Sequence, residues 1–127
     1  ILDVLLEQLK PKKKTDKPIV LNNIFFDTGS DKLLPSSDTE LDLIARMLID
    51  HPDMRIKIIG HTDNVGSDVD NLDLSKNRAK SVVNAIVARN VNANRLESEG
   101  QGESKPIDSN EALEGRQRNR RTEFVIL

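Results

Sequence analysis

A strand, an acidic loop and a long helix follow one another between residues 54 and 90. Apolar and basic residues alternate in MRIKIIG (54–60), which predicts a strand with one buried face. From about Leu72 to Asn90, apolar residues recur at the three- and four-residue spacing of a helix. A strand that returns through a helix joins a parallel neighbour, so this unit favours a sheet covered by helices.

An earlier strand, Asp-rich loop and helix precede this unit in the chain. The stretch 36–53 predicts a helix, with Ser37 or Asp38 as the N-cap and Pro52 as the terminator. Three more strands are predicted from β-branched and aromatic content or from alternation: 18–27, 95–103 and 120–127. The long polar segment 104–119 separates the last two strands. The element order is βαβα followed by two strands, in one domain with helices packed across the sheet.

The first 17 residues differ in character from the rest. ILDVLLEQLK (1–10) is followed by PKKKTDKP (11–18), in which two prolines and a charge run interrupt any helix. We interpret residues 1–17 as a linker or arm from a missing upstream region, and residues 18–127 as the domain. The chain has no apolar run near the 18 residues that a membrane-spanning helix needs.

Both strand–helix units contain an Asp-rich loop where the strand ends. These loops are DTGSD (27–31) and HTDNVG (61–66). Because crossover helices link parallel strands, both loops are expected at the same edge of the sheet, close to each other.

The charge balance argues against a nucleic-acid-binding protein. The chain has 19 Lys and Arg against 21 Asp and Glu, for a net charge of -2. Four arginines do cluster near the C-terminus: Arg116, Arg118, Arg120 and Arg121. We interpret Arg116 and Arg118 as surface residues that hold the long loop by salt bridges before an edge strand. The role of Arg121 stays open at this point.

The set of reactive side chains argues against an enzyme. Cysteine is absent, and the only histidines are His51 and His61. His51 lies at a helix end, where it interacts favourably with the helix dipole. No nucleophile, paired acid or ligand set accompanies His61, which we interpret as a structural hydrogen-bonding residue.

The acidic loop 63–73 permits several interpretations. Its oxygen donors fit a calcium-dependent or protein-interaction domain, although their spacing departs from the twelve-residue calcium loop. Asp63 also lies 15 residues before Arg78, across a loop that turns a strand end back into a helix. The two side chains either form a structural salt bridge or face one pocket that fits the zwitterionic head of an amino acid.

Several segments resemble one known family. They are IFFDTGSDKL, IIGHTDNVGS, NLDLSKNRAKSVVNAIV, NRLESEGQGESKPIDSN and EGRQRNRRTEFVIL. From about residue 20 to 127, they resemble the OmpA-like peptidoglycan-binding domain of outer-membrane protein A, the peptidoglycan-associated lipoprotein and the flagellar stator protein B. The resemblance implies an α+β fold, a βαβαββ sandwich with helices packed on one mixed four-stranded sheet.

The resemblance also implies a ligand and its site. Asp63 and Arg78 correspond to the family residues that bind the amino and carboxylate groups of diaminopimelate in the peptidoglycan stem peptide. Further positions implied at the pocket are Thr62, Asn71, Arg121, Asp27, Thr28 and Gly29. The family implies no catalysis, metal or cofactor, and no nucleic-acid partner. It implies a periplasmic domain that tethers an outer membrane or envelope complex to the wall of a diderm bacterium, with a membrane-associated domain upstream.

Overall fold

The computed structural model describes residues 18–127, which form one sheet and three α-helices. The elements are β1 (Ile19–Leu21), α1 (Asp38–Asp50), β2 (Ile56–His61), α2 (Asp68–Val87), β3 (Leu96–Gly102), α3 (Leu113–Asn119) and β4 (Arg121–Ile126). The linker or arm interpreted at residues 1–17 lies outside the described residues, so the domain boundary at residue 18 stays a prediction.

The strand order of the sheet is β1-β4-β2-β3. β2 and β3 pair in parallel, whereas β4 is antiparallel to both β1 and β2. The predicted mixed four-stranded sheet is confirmed. The interpretation of the last strand as an edge strand is wrong, because β4 lies between β1 and β2. Its side chains are buried on both faces at Thr122, Glu123 and Phe124, as expected for an inner strand.

The helical periodicity of α1 and α2 positions a core on one face of the sheet. Leu41, Ile44 and Leu48 of α1 belong to the same buried cluster as Ile58 of β2 and Phe124 of β4. Within residues 18–127, no helix combines the length and the apolarity that crossing a membrane requires.

Helix α2 lies unusually close to β2 and β3. A Cβ atom on Gly60 would lie 2.4 Å from the carbonyl oxygen of Ser75, and one on Gly100 would lie 2.3 Å from the backbone nitrogen of Lys76. The Ser75 hydroxyl also accepts a 2.9 Å hydrogen bond from the N–H of Gly102. The two glycines therefore allow the middle of α2 to pack directly over the ends of two strands.

The first strand is shorter than the sequence predicts. β1 ends at Leu21, and the later residue Phe26 forms only an isolated bridge with Leu33. The side chain of Ser37 does not cap α1. Its hydroxyl instead accepts from the N–H of Phe25 at 2.7 Å and donates to the carbonyl oxygen of the same residue at 3.0 Å. Ser37 thus holds the segment after β1 as a loop.

Helix α3 lies within the polar segment 104–119, where the sequence predicts no helix. Its final residue, Asn119, is fully buried and anchors residues 107–110. Its Oδ1 accepts from the N–H groups of Ile107 and Asp108 at 2.8 and 3.0 Å. Its Nδ2 donates to the carbonyl oxygen of Asp108 and to Oδ1 of Asn110 at 2.9 and 2.8 Å. One buried amide therefore makes four hydrogen bonds that fold this segment against α3.

The two arginines of α3 hold the same segment, as the sequence analysis predicts. Arg118 forms an ion pair with Asp108, and Arg116 donates from Nη1 to the carbonyl oxygen of Asn110 at 2.9 Å. The predicted salt bridge is confirmed for Arg118, whereas Arg116 holds the segment through a backbone acceptor and forms no salt bridge within residues 18–127.

Candidate functional site

The candidate site lies at one edge of the sheet. Leu21 at the end of β1 pairs with Thr122, and His61 at the end of β2 pairs with Arg121 at the start of β4. The C-terminal ends of β1 and β2 therefore lie at the same edge of the sheet, flanking the start of β4. The two Asp-rich loops leave the sheet at this edge, as expected from the sequence.

Arg78 of α2 joins the first of these loops. Its Nε donates to the carbonyl oxygen of Ser30 at 2.8 Å, and its Nη2 donates to that of Asp27 at 3.4 Å. The guanidinium carbon lies 4.9 Å from the ring centroid of Phe26, a cation–π distance. Nη1 makes no hydrogen bond to any residue between 18 and 127. Arg78 is thus held in place with one end of its fork available for a ligand.

Asp63 is held by the second loop and by a different arginine. Its Oδ1 accepts from the N–H of Val65 at 3.0 Å, and its Oδ2 accepts from Nη1 of Arg120. The Asp63 side chain is only 8% exposed. Asp63 and Arg78 therefore do not form the mutual salt bridge that the sequence analysis left open.

A cleft of about 750 Å³ opens beside these residues, and we call it the arginine cleft. Its walls include Phe25, Thr28, Gly29, Arg78 and Arg120. A narrow extension of about 30 Å³ continues between the two arginines toward His61. Of the predicted residues, Arg78, Thr28 and Gly29 line the cleft, and Asp63 is joined to its wall through Arg120.

The electrostatics of the cleft favour a ligand that carries an anionic group. Burial lowers the pKa of Arg78, and the positive charge of Arg120 lowers it further, while Asp31 and Asp63 act in the opposite direction. Guanidinium groups nevertheless stay charged in proteins. Of the described residues that line the cleft, two carry guanidinium groups and none carries a carboxylate, although Asp31 and Asp63 lie nearby. A ligand carboxylate between Arg78 and Arg120 therefore meets complementary charge.

Asn71 and Thr62 act on the backbone around Asp63. The buried Asn71 donates from Nδ2 to the carbonyl oxygens of Asp63 and Val65 at 3.3 and 3.0 Å. The Thr62 hydroxyl donates to the same carbonyl oxygen of Asp63 at 2.8 Å. These predicted residues therefore position the Asp63 loop, and neither lines the arginine cleft.

The structure places Arg121 differently from its neighbour. The Arg121 side chain is 6% exposed and donates from Nε to Oε2 of Glu123 at 2.8 Å and from Nη2 to the carbonyl oxygen of Lys105 at 2.9 Å. Arg120, which the sequence analysis did not select, is the arginine that contacts Asp63 and lines the arginine cleft. Arg120 is the C-cap residue of α3, whereas Arg121 is the first residue of β4 and pairs with His61, so the two neighbours belong to different elements.

His61 is a buried structural residue, as predicted. Its Nε2 lies 2.7 Å from Oε1 of Glu123, and both side chains are less than a tenth exposed. Burial acts to raise the pKa of Glu123, but hydrogen bonds from His61 and Arg121 outweigh it and hold that pKa below its ordinary value. Glu123 is therefore ionised at neutral pH, and His61 donates from Nε2. At the end of α1, Nδ1 of His51 lies 2.9 Å from the carbonyl oxygen of Met47, which it caps.

The acidic loop 63–73 runs into the first turn of helix α2. Ser67 caps α2 by accepting from the N–H of Asp70 at 3.1 Å, and Asp68 and Asp70 lie in its first turn. A hydrogen bond with Asp68 raises the pKa of the exposed Glu103 carboxyl group. Among residues 18–127, the His, Asp and Glu side chains form no group of three or more placed to hold a metal ion.

Comparison with known proteins gives a consistent set of relatives. The model of the OmpA family matches residues 25–120. The chain is 37% identical over 105 residues to the probable lipoprotein YiaD of Escherichia coli, covering 83% of this chain and 48% of YiaD. It is 41% identical over 103 residues to the peptidoglycan-binding protein ArfA of Mycobacterium tuberculosis, covering 81% of this chain and 32% of ArfA.

A solved structure shows the same architecture. The peptidoglycan-associated lipoprotein from Burkholderia pseudomallei superposes with a TM-score of 0.74 at 27% identity, over 88% of this chain and 91% of that chain. The present chain spans about half the length of YiaD and about a third of ArfA.

Proposed function

Because the chain belongs to the OmpA family, we propose that it binds cell-wall peptidoglycan non-covalently, through the diaminopimelate of the stem peptide. The names of two relatives support a peptidoglycan ligand: a peptidoglycan-binding protein and a peptidoglycan-associated lipoprotein. The observation that carries the finer proposal is the separation of Asp63 from Arg78. The two charges do not neutralise each other: Arg78 is held by backbone carbonyl oxygens, and Asp63 is paired with Arg120, a contact that a ligand ammonium can replace.

The arginines and Asp63 bind opposite charges of the ligand. The ligand carboxylate enters between Arg78 and Arg120, where Nη1 of Arg78 is available to donate. The ligand ammonium donates to Asp63, which accepts from Val65 and Arg120 and has about two of its roughly four acceptor positions left. Because Asp63 is nearly buried, the ammonium reaches it only when Arg120 turns outward. The guanidinium of Arg120 then meets the incoming carboxylate.

Such a site has a low affinity for one stem peptide and a higher effective affinity for a polymer of them. A few charge-assisted hydrogen bonds of roughly 1.5–3 kcal/mol each, less the cost of association, give monovalent dissociation constants on the order of micromolar to millimolar. A wall polymer offers many stem peptides to a tethered domain, so rebinding raises the effective affinity without new contacts.

The cellular role follows from the ligand. We propose a periplasmic domain of an outer-membrane or envelope-anchored protein in a diderm bacterium, tethering that membrane or an envelope complex to the wall. Residues 1–17 would then connect the domain to a membrane-associated region upstream.

Sedimentation with purified peptidoglycan sacculi tests this function. The parent domain sediments with sacculi, whereas Asp63→Ala and Arg78→Ala each weaken binding by about tenfold or more, the equivalent of about 1.4 kcal/mol. Arg46→Ala is the matched control, since it removes an exposed arginine of α1. Binding of either site variant at the parental level would refute the site.

Calorimetry separates this function from the calcium or protein-interaction alternative. Heat with diaminopimelate and none with calcium supports the proposal. Heat of binding with calcium alone would indicate a metal site in the acidic loop 63–73. No heat of binding with either ligand would favour a domain that contacts other proteins.

A further inference from the structure

A second groove runs beside the arginine cleft, with a volume of about 760 Å³. It lies between β1 with its following loop on one side and α3 on the other. Val20, Phe25, Ile107, Gln117 and Arg118 are among the residues that form its walls, and we call it the Ile107 groove. None of the residues predicted from the sequence to bind diaminopimelate lines it except Arg121.

The Ile107 groove and the arginine cleft form one trough. Ile24, Phe25 and Arg120 line both cavities, so the two share a wall. A cavity of roughly 300–1,000 Å³ normally encloses an entire drug-sized ligand. The arginine cleft therefore already has the capacity for a diamino acid, and the trough as a whole fits a longer, extended ligand.

The chemistry of the Ile107 groove differs from that of the cleft. Its apolar side chains are unusually exposed, with Ile107 at 55%, Phe25 at 42% and Val20 at 36%. Arg118 and Arg120 stand at its rim with Glu114. Each arginine gives one nitrogen to an ion pair, with Asp108 and Asp63 respectively, and its other side-chain nitrogens make no hydrogen bond within residues 18–127. Small apolar side chains followed by a carboxylate match this combination of surfaces.

The wall at Ile107 is formed before any ligand arrives. The N–H of Ile107 donates to Oδ1 of the buried Asn119, and the next residue, Asp108, pairs with Arg118. A Cβ atom on Gly115 would lie 1.8 Å from the carbonyl oxygen of Ser109, which shows how tightly α3 packs on this segment. A preformed wall lowers the ordering cost of binding.

We propose that the Ile107 groove binds the carboxyl-terminal end of a stem peptide whose diaminopimelate occupies the arginine cleft. This inference rests on the proposed function and extends it, because it assigns a second site to the same ligand. The peptide crosses the wall shared by the two cavities at Phe25 and Arg120. Its terminal alanine-type side chain contacts Ile107, and its carboxylate accepts from the side-chain nitrogens of Arg118 that Asp108 does not use.

Titration with two probes tests the second site. The probes are free meso-diaminopimelate and a stem tetrapeptide with diaminopimelate at its third position and a free carboxyl terminus. The parent domain binds the tetrapeptide about tenfold more tightly, as expected from covering one exposed isoleucine and satisfying one carboxylate. Ile107→Ser and Gln117→Glu keep the parental affinity for free diaminopimelate and lose most of the tetrapeptide advantage.

The control variant is Ile49→Ser. Ile49 is as exposed as Ile107, at 52%, but lies on α1 in neither cavity. We expect the Ile49→Ser variant to keep the full preference for the tetrapeptide over free diaminopimelate. A domain that binds both probes equally, or an Ile107→Ser variant that retains the full preference, would overturn the second site while leaving the proposed function in place. A domain that binds neither probe would overturn the proposed function and the second site together.

Discussion

Arg120 donates a hydrogen bond from Nη1 to Oδ2 of Asp63, and so lies where an ammonium group of a ligand is proposed to bind. The Asp63 side chain is 8% exposed, whereas that of Arg120 is 39% exposed. A nearly buried carboxylate is thus paired with a partly exposed guanidinium group. The same contact that stabilises the unliganded site is the one that a ligand must replace.

The first prediction concerns this ion pair. We expect Arg120→Gln to lower the free energy of unfolding by about 1–2 kcal/mol, because it leaves a nearly buried carboxylate without its charged partner. Arg118→Gln is the control, since Arg118 and Asp108 are 58% and 35% exposed and such pairs contribute about 0–1 kcal/mol. Urea unfolding measures both. Equal losses for the two variants would contradict a special role for Arg120.

The second prediction concerns pH. The pKa of Glu123 is held below its ordinary value in the folded protein, so its ionised form stabilises the fold at neutral pH. That contribution is present above the unfolded-state pKa and is lost as pH falls through the depressed folded-state pKa. We expect Glu123→Gln to destabilise the domain at pH 7 by about 2–4 kcal/mol, since it weakens a buried charged network.

Unfolding in urea at several pH values checks this behaviour. The difference in free energy of unfolding between the parent and Glu123→Gln should shrink steadily as the pH falls from the ordinary range of glutamate toward strong acid. A difference that stays constant over that range would show that the charge of Glu123 is not what stabilises the network.

The third prediction concerns the close approach of α2 to the sheet. Gly60→Ala forces its new methyl group against the Ser75 carbonyl, so we expect a loss of about 1–3 kcal/mol or more in the free energy of unfolding. Gly29→Ala is a useful comparison, because Gly29 has a positive φ of 65° but nothing within 4 Å of its Cβ position. Its cost should stay near 1 kcal/mol, the strain of the left-handed backbone alone. Thermal or urea unfolding that ranks Gly29→Ala as the more damaging change would count against the packing argument.

The fourth prediction concerns Asn119. Asn119→Asp keeps the acceptor oxygen for Ile107 but places a carboxylate against the carbonyl oxygen of Asp108 and Oδ1 of Asn110. We expect about 2–4 kcal/mol of destabilisation from lost donors and a buried charge. Hydrogen exchange should accelerate at the Ile107 and Asp108 amides in particular. Unchanged exchange at these two amides would mean that the segment does not depend on Asn119.

Much of the fold was predictable because its elements have strong periodicity. Alternation in 54–60 and 120–127 identified β2 and β4, and the apolar stripes of the two long helices identified α1 and α2. The neighbourhood of the two Asp-rich loops followed from topology alone. The ends of the elements shifted by a few residues, as with β1, because Ser37 draws the Phe25 backbone into a loop.

The remaining features depend on contacts that the sequence does not display. Helix α3 has one large apolar residue, Leu113, and is organised by the buried amide of Asn119, so no apolar stripe marks it. Arg120 and Arg121 are adjacent and chemically identical, and which one meets Asp63 depends on where α3 ends and β4 begins, a boundary that the sequence does not display. The roles of Asp63, Arg78 and the other predicted residues as ligand contacts remain predictions.

The residues of the candidate site are far apart in the sequence, which has a consequence for folding. Arg78 contacts Ser30 across 48 positions, and Arg120 contacts Asp63 across 57. Contacts between residues so far apart in sequence require long loops to close, which slows their formation. A newly made copy therefore completes the proposed binding site only when its last strand lies between β1 and β2.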